Sequence, residues 1–385
     1  MMIGNAMAIA FLFVLVPSTG NPTVVEPSNR FTTFADWCEN QEQLSPEARH
    51  TVEVLLEKVG TQECNLAEGT LTQWTAIDLG ARQIINVKPL ASLTHLTVLD
   101  LSNNQIVDIT PLISLTHLTS LALDKNQIRD IGSLSSLTAL AVLYLGNNQI
   151  ADAKPLTRLT ALTRLYLQSN QIKDIEPFAN LTHLKVLNLD NNQIENIEPL
   201  TSLTHLTLLS LGGNRITDIE LLGTLTNLTR LYLWRNQIET IEPLASLTQL
   251  QALYIEDNQI ETIKPLTGAN HLSELSLTAN RVKDIAMLEG LTHLTSLWLG
   301  NNQIQDIRPL ANLKALTHLD LSGNRIEDIA PLANLTHVQG LMLRNNQIED
   351  VEPLGKLTHL EILDLGRNPL SDRVCPVQPE TICQF

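Results

Sequence analysis

The chain has 385 residues, a formal net charge of −16, and a composition that is 43% hydrophobic but only 4% aromatic. It has no run of Lys and Arg that would neutralise phosphates or anionic lipid, which argues against a nucleic-acid or acidic-membrane partner; the acidity reads as solubility. Leu and Ile supply most of the apolar fraction, as expected where one short unit is copied, so length sets no domain count.

In chain order, residues 1–20 read as a secretion signal. Ala6 to Val16 is an unbroken apolar run, followed by Pro17-Ser18-Thr19-Gly20, with small residues suited to a cut after Gly20. Met1 to Asn5 carries no Lys or Arg, so an upstream start or an uncleaved anchor stands as the alternative. The run is too short to span a bilayer, and no later segment is apolar enough to do so.

Residues 21–73 are expected to form an N-terminal segment and helical cap. Ser45-Pro46-Glu47 offers an N-cap, a Pro in the first turn and an acidic start, and Gly60 stands where a C-terminal glycine belongs. Between them Val52, Leu55, Leu56 and Val59 follow helical spacing, giving one face to cover the first coil. Trp74 stands where later units have their first Leu, and burial at that joint is expected.

Residues 74–370 are a repeat array. Asn104, Asn126, Asn148 and their successors to Asn368 recur every 22 residues without a slip. Around each runs Leu-x-x-Leu-x-Leu-x-x-Asn-x-Ile, as in Leu96, Leu99, Leu101, Asn104 and Ile106. One earlier unit, at Ile77, Leu79 and Ile84, has Arg82 in place of the Asn, which makes about 14 units. Leu-x-Leu alternates with period 2, so it predicts a short strand with Leu inward. The Asn is polar among inward Leu and Ile, so it must bond backbone groups of its turn or of the neighbouring unit. Pro89, Pro111, Pro155, Pro177, Pro199, Pro243, Pro265, Pro309, Pro331 and Pro353 forbid long helices in the second half of the unit and favour a turn followed by a brief 3₁₀ segment. The predicted fold is an α/β repeat solenoid: a curved horseshoe with a parallel concave sheet, short 3₁₀ or turn segments on the convex side, and disulfide-capped ends.

This is the leucine-rich-repeat signature. The unit Leu118-Thr119-Ser120-Leu121-Ala122-Leu123-Asp124-Lys125-Asn126-Gln127-Ile128-Arg129-Asp130-Ile131 and its counterparts resemble the internalin family and similar repeats of bacterial surface and secreted proteins. The resemblance implies a protein-binding solenoid at a host or cell surface. The sequence has no Ig-like domain, sorting motif or hydrophobic tail like those of the surface internalins, so covalent wall anchoring is not expected. A similar short repeat occurs in cytosolic phosphatase regulators, which keeps an intracellular regulatory subunit as an alternative.

Residues 371–385 are the expected C-terminal cap. Cys38 and Cys64 lie before the repeats, and Cys375 and Cys383 after them. Inter-strand steps of about 4.8 Å would hold the two ends roughly 60 Å apart, so only Cys38–Cys64 and Cys375–Cys383 can bridge within a chain. Neither pair has zinc-knuckle spacing.

Strand positions six, four, two and one residues before each Asn point outward, defining four outward rows. They hold all four Tyr and two of the four Trp: Tyr144, Tyr166, Tyr232, Trp234, Tyr254 and Trp298. β-propensity alone would favour aromatics on strands, but Tyr232, Trp234 and Tyr254 cluster on two adjacent ones. Arg230 and Arg235 flank them, an arrangement suited to an interface anchor. Other charges on this face are mixed, Arg164 and Arg344 against Asp190, Glu256, Asp257 and Asp320, and read equally well as a solvated polar surface. The carboxylates are expected to be water-exposed, with nothing to shift their pKa values. His95, His117, His183, His205, His271, His293, His337 and His359 recur at one unit position, and a metal or pH site there competes with simple copying of the unit. The glycosylation-like triplets beginning at Asn180, Asn227 and Asn334 are also copies of the unit. No catalytic residue, metal site or cofactor is expected. The function expected is a non-catalytic scaffold, secreted, periplasmic or on the cell surface, that grips a protein ligand on its concave face. A surface-glycan-binding structural protein is the second reading.

Overall fold

The computed structural model describes residues 31–385; the signal expected at residues 1–20 lies outside them. The N-terminal cap has three helices rather than the one foreseen: α1 (Phe34–Glu39), α2 (Pro46–Val59) and α3 (Cys64–Leu71). Ser45 caps α2 by accepting from Ala48 N, and Gly60 ends it in the left-handed conformation, as read from the sequence. Helix α1 starts with a Thr33–Asp36 capping box too short to stand out in the sequence. The cap is bonded to the first coil as well as packed on it. Thr51 Oγ1 donates to Asn86 O at 2.6 Å, His50 Nε2 meets Arg82 O at 2.7 Å, and His95 Nε2 meets Leu71 O at 2.9 Å. Trp74 is half-buried against this joint, not enclosed by it as expected.

Short parallel strands then follow one per coil. They are β1 (Ala76–Asp78), β2 (Val98–Asp100), β3 (Ser120–Ala122), β4 (Val142–Tyr144), β5 (Arg164–Tyr166), β6 (Val186–Asn188) and β7 (Leu208–Ser210). The series continues with β8 (Arg230–Tyr232), β9 (Ala252–Tyr254), β10 (Glu274–Ser276), β11 (Ser296–Trp298), β12 (His318–Asp320), β13 (Gly340–Met342) and β14 (Ile362–Asp364). All pair in sequence order in one open parallel sheet. A last short strand, β15 (Cys383–Gln384), pairs Cys383 with Leu363 and extends the sheet into the C-terminal cap. Nothing in the sequence pattern announced it, because its register comes from the Cys375–Cys383 bridge rather than from a repeat. That bridge and Cys38–Cys64, which ties α1 to α3, hold Cα atoms 5.8 and 5.5 Å apart.

Between strands the chain crosses the convex side in 3₁₀ turns such as Glu198–Ser202 and Glu242–Ser246, with Pro in the first turn. Pro is not essential to them. Gly132–Ser136, Glu220–Thr224 and Ala286–Gly290 form the same turn without it. In those coils Asp130, Asp218 and Asp284 accept from the backbone N–H two residues on, at 2.8, 2.8 and 2.9 Å. The Asx turn therefore starts the segment, and Pro only stiffens it.

The recurring Asn is the joint between coils. Asn214 Nδ2 donates to Leu189 O in the preceding coil at 3.0 Å and to Leu211 O in its own at 2.9 Å, while its Oδ1 accepts from Ile194 N at 3.0 Å. Asn104, five coils earlier in the array, makes the same links and also takes Arg82 N at 3.0 Å. The first coil has no predecessor to bond, so Arg82 can replace Asn and reach Glu57 of α2 instead. Asn214→Leu should leave Ile194 N without its acceptor and cost on the order of 1–3 kcal/mol of stability. A melting temperature equal to the parent's in thermal denaturation would contradict a buried Asn ladder.

Candidate ligand-binding face

The residue before each Asn has positive φ, for example Asn103 (55°), Arg235 (49°) and Gly213 (66°). Its N–H donates to the next coil, as Arg235 N does to Glu256 O at 2.9 Å. Held this way, every coil presents its outward residues in the same register, and the four outward positions become four continuous rows on the concave side.

The row four residues before each Asn contains all the Tyr. Tyr144 and Tyr166 pair across β4 and β5 and stack with ring centroids 4.7 Å apart and planes within 7°. Tyr232 and Tyr254 stack across β8 and β9 at 5.0 Å and 13°. Trp298 reaches over the small, buried Ser276 to lie 5.9 Å from Tyr254, so it joins this second cluster although it sits two strands away. Parallel strands about 4.8 Å apart bring like rings to stacking distance. Tyr254 also donates its hydroxyl to Glu274 Oε2. Burial first, and then the Glu274 contact, pushes the Tyr254 phenol well above its ordinary value.

Trp234 belongs to another row, two residues before Asn236, and packs differently. Its indole lies over Gly212, where a Cβ would collide with the ring, and close to Gly213. The Arg235 guanidinium carbon is 6.0 Å from the Trp234 ring centroid, and Arg235 also pairs with Asp257 at 3.5 Å. Together with Glu256, Thr278 and Ala279 these three line a shallow recess. The structure thus brings Tyr232, Tyr254 and Trp298 together, places Trp234 and Arg235 beside them, and sets Tyr144 and Tyr166 apart as a separate pair. Gly212 is a residue that sequence reasoning missed; the Gly212-Gly213 pair in the coil before Trp234 was the available signal.

The expectation of water-exposed, unshifted carboxylates on this face fails at Asp124, Asp190 and Glu256, while Asp257 is exposed as foreseen. Burial raises the Asp190 pKa against the lowering effect of its bonds from Ser210 and Gly212. Those bonds measure 2.7 Å from Ser210 Oγ and 2.6 Å from Gly212 N. Burial likewise raises Glu256 and Asp124, and Glu256 Oε2 is enclosed without a hydrogen-bond partner. Burial is the first cause at all three, and a list of outward positions does not reveal which of them the neighbouring coils cover. Four members of the His row, His117, His183, His205 and His359, each place Nδ1 2.8–3.1 Å from a Thr carbonyl of the preceding coil and so help join the coils. Among the described residues no group of three or more His, Cys, Asp and Glu could hold a metal ion, and no helix is long and apolar enough to cross a membrane.

The family model for leucine-rich repeats in two copies matches residues 116–158, 160–202, 204–246, 292–334 and 336–373. Two further leucine-rich-repeat models match 226–282 and 92–108. An internalin (inlF) from Listeria monocytogenes superposes with TM-score 0.79 at 33% identity, over 86% of this chain and 98% of that one. This chain is an internalin-like leucine-rich-repeat protein. Its fold is also similar to the functional domain of InlJ from Listeria monocytogenes (21% identity, TM-score 0.72), over 86% of this chain and 75% of that one. A plant peptide hormone receptor, RGFR1 in complex with RGF2, shares the fold at 22% identity and TM-score 0.66, over 76% of this chain and 51% of that one. No curated protein sequence matches the chain.

The packing of Trp234 on Gly212 is directly testable in the internalin-like chain. Gly212→Ala should displace the indole and shift Trp fluorescence to longer wavelength, with a change at least as large as that of Trp234→Phe. An emission spectrum identical to the parent's would show that the indole does not rest there.

Proposed function

We propose that this chain is a non-catalytic, extracytoplasmic scaffold that grips a protein ligand on the concave sheet, with Tyr232, Trp234 and Tyr254 as the central anchors. The observation that carries the reading is the aromatic clustering: every Tyr lies in one concave row, and the largest cluster joins Tyr232, Tyr254 and Trp298. Half-exposed Tyr and Trp with a polar tip supply the apolar area and hydrogen bonding that dominate protein interfaces. Arg230 and Arg235 border the cluster, while Tyr144 and Tyr166 extend the face toward the N-terminal coils. A non-catalytic role is supported by how each coil uses its residues, with inward Leu and Ile packing, the Asn bonding neighbouring coils, and the outward rows forming a continuous surface. The known complex of the plant receptor with RGF2 shows that this fold can accommodate a polypeptide ligand. A protein partner is favoured over a glycan because the paired Tyr rings stack along the sheet. In each pair the rings cover each other's facing sides, and Tyr254 meets Trp298 as well, which reduces the ring face open to a stacking sugar.

The extracytoplasmic placement rests on the two cap disulfides, which persist in oxidising compartments, and on the apolar run Ala6 to Val16. Non-reducing peptide mapping of natively isolated protein should yield the Cys38–Cys64 and Cys375–Cys383 links and no free thiol. Four free thiols would place the chain in a reducing compartment and favour the cytosolic regulator.

Affinity capture with residues 21–385 tests the binding face. Replacing Tyr232, Trp234 and Tyr254 together by Ala should preserve a cooperative melt, because all three lie outside the Leu core. Ligand capture should be lost, since anchor truncations typically cost about 2 kcal/mol or more each. Alanines at Glu198, Glu220 and Glu242, exposed on the convex side, should leave capture intact. The reverse outcome would put the ligand on the other face.

A further inference from the structure

One triplet occurs twice on the concave face. Arg164-Leu165-Tyr166 and Arg230-Leu231-Tyr232 occupy the same register three strands apart, with β6 and β7 between them. In the outer row Arg164 pairs with Val186, Val186 with Leu208, and Leu208 with Arg230; in the next row Tyr166, Asn188, Ser210 and Tyr232 follow in order. The result is a slot bracketed at each side by an Arg and a Tyr.

Three observations indicate what the slot would hold. Both Arg side chains are exposed and neither makes an ion pair among the described residues, whereas Arg235 and Arg344 are held by Asp257 and Asp364. Exposed Lys185 leads into β6 between them, so positive charge gathers here in a chain whose net charge is −16. The polar floor is already satisfied: Asn188 Oδ1 accepts from Asp190 N at 2.9 Å, and Asp190 accepts from Ser210 and Gly212. The groups left for a ligand are two guanidiniums, the half-exposed Val186–Leu208 step between them, and one face each of Tyr166 and Tyr232, their other faces being covered by Tyr144 and Tyr254.

We propose that this slot binds an extended acidic segment of a protein ligand, with carboxylates four residues apart and an apolar side chain midway. Three inter-strand steps separate the two Arg positions by about 14 Å, and four residues of extended chain span about 13–14 Å with both side chains on one face. The middle residue of such a segment shares that face and falls on Val186 and Leu208. A helix covers the distance in about nine residues, which then point to opposite sides, so it cannot present both carboxylates. Each guanidinium can take a carboxylate in a two-point contact. Asp190 lies about 13 Å along the strands from the Arg row and keeps the acidic segment over the N-terminal ends of the strands. The inference rests on the concave-face reading and specifies its ligand.

A random peptide display library selected on the immobilised full chain tests it. Enriched sequences should carry Asp or Glu pairs four apart with Leu, Ile, Val or Met midway. A synthetic peptide of that pattern should lose at least about tenfold in affinity against R164Q or R230Q, and similarly when either acid is made amide. Enrichment without the acid pair, equal binding to the Arg variants, or no enrichment would overturn the proposal. The protein ligand separates the two levels of the argument. If the R164Q/R230Q double variant captures it while the aromatic triple variant does not, the concave face stands and this slot is wrong; if both variants capture it, the face itself is wrong.

Discussion

The buried Asn side chain that bonds one coil to the next is the interaction on which everything else depends. It sits among Leu and Ile at 7–9% exposure along the array from Asn104 to Asn346, where an amide without partners would be costly. It meets that cost by serving two coils at once, donating to carbonyls of both and accepting from an N–H of the one before. The bond fixes how far each coil is displaced from its predecessor. That displacement holds the strands in register, lets the residue before the Asn adopt positive φ, and keeps the Leu ladder continuous.

Strict register has a consequence for function. A row of outward positions places like residues a strand spacing apart, so two Tyr at the same position in adjacent units must stack, as Tyr144 does with Tyr166 and Tyr232 with Tyr254. Small residues in the rows act as openings that a larger neighbour fills. Ser276 lets Trp298 reach Tyr254, and Gly212 lets Trp234 lie down against the sheet. The concave surface is thus shaped by which units depart from the repeat, while the repeat itself keeps the frame rigid.

The caps obey different physics. A terminal coil has only one neighbour, so its exposed Leu and unpaired backbone need a cover that does not repeat. At the N-terminus three helices, one disulfide and the Arg82–Glu57 pair provide it; at the C-terminus a second disulfide holds a short strand against β14. Helix α2 was legible because Ser45, Pro46 and Gly60 mark both its ends. Helices α1 and α3 were not, since at 6 and 8 residues they show too little periodicity and depend on the Cys38–Cys64 link and the packing around it.

The sequence by itself determined the solenoid, its strand register, the inward and outward positions, the pairing of the cysteines and the identity of the aromatic residues on the concave face. These follow from periodicity and from short-range rules that act within one unit or between adjacent copies. Only the tertiary structure decided which outward residues meet. Trp298 joins Tyr254 across a strand, Trp234 turns onto Gly212, and Asp190 and Glu256 are desolvated under their neighbours, while Arg164 and Arg230 stay free. Trp74, expected to be enclosed, proved half-exposed. Whether a side chain is covered depends on the size and lean of residues 22 or 44 positions away in the chain, and no local pattern encodes that.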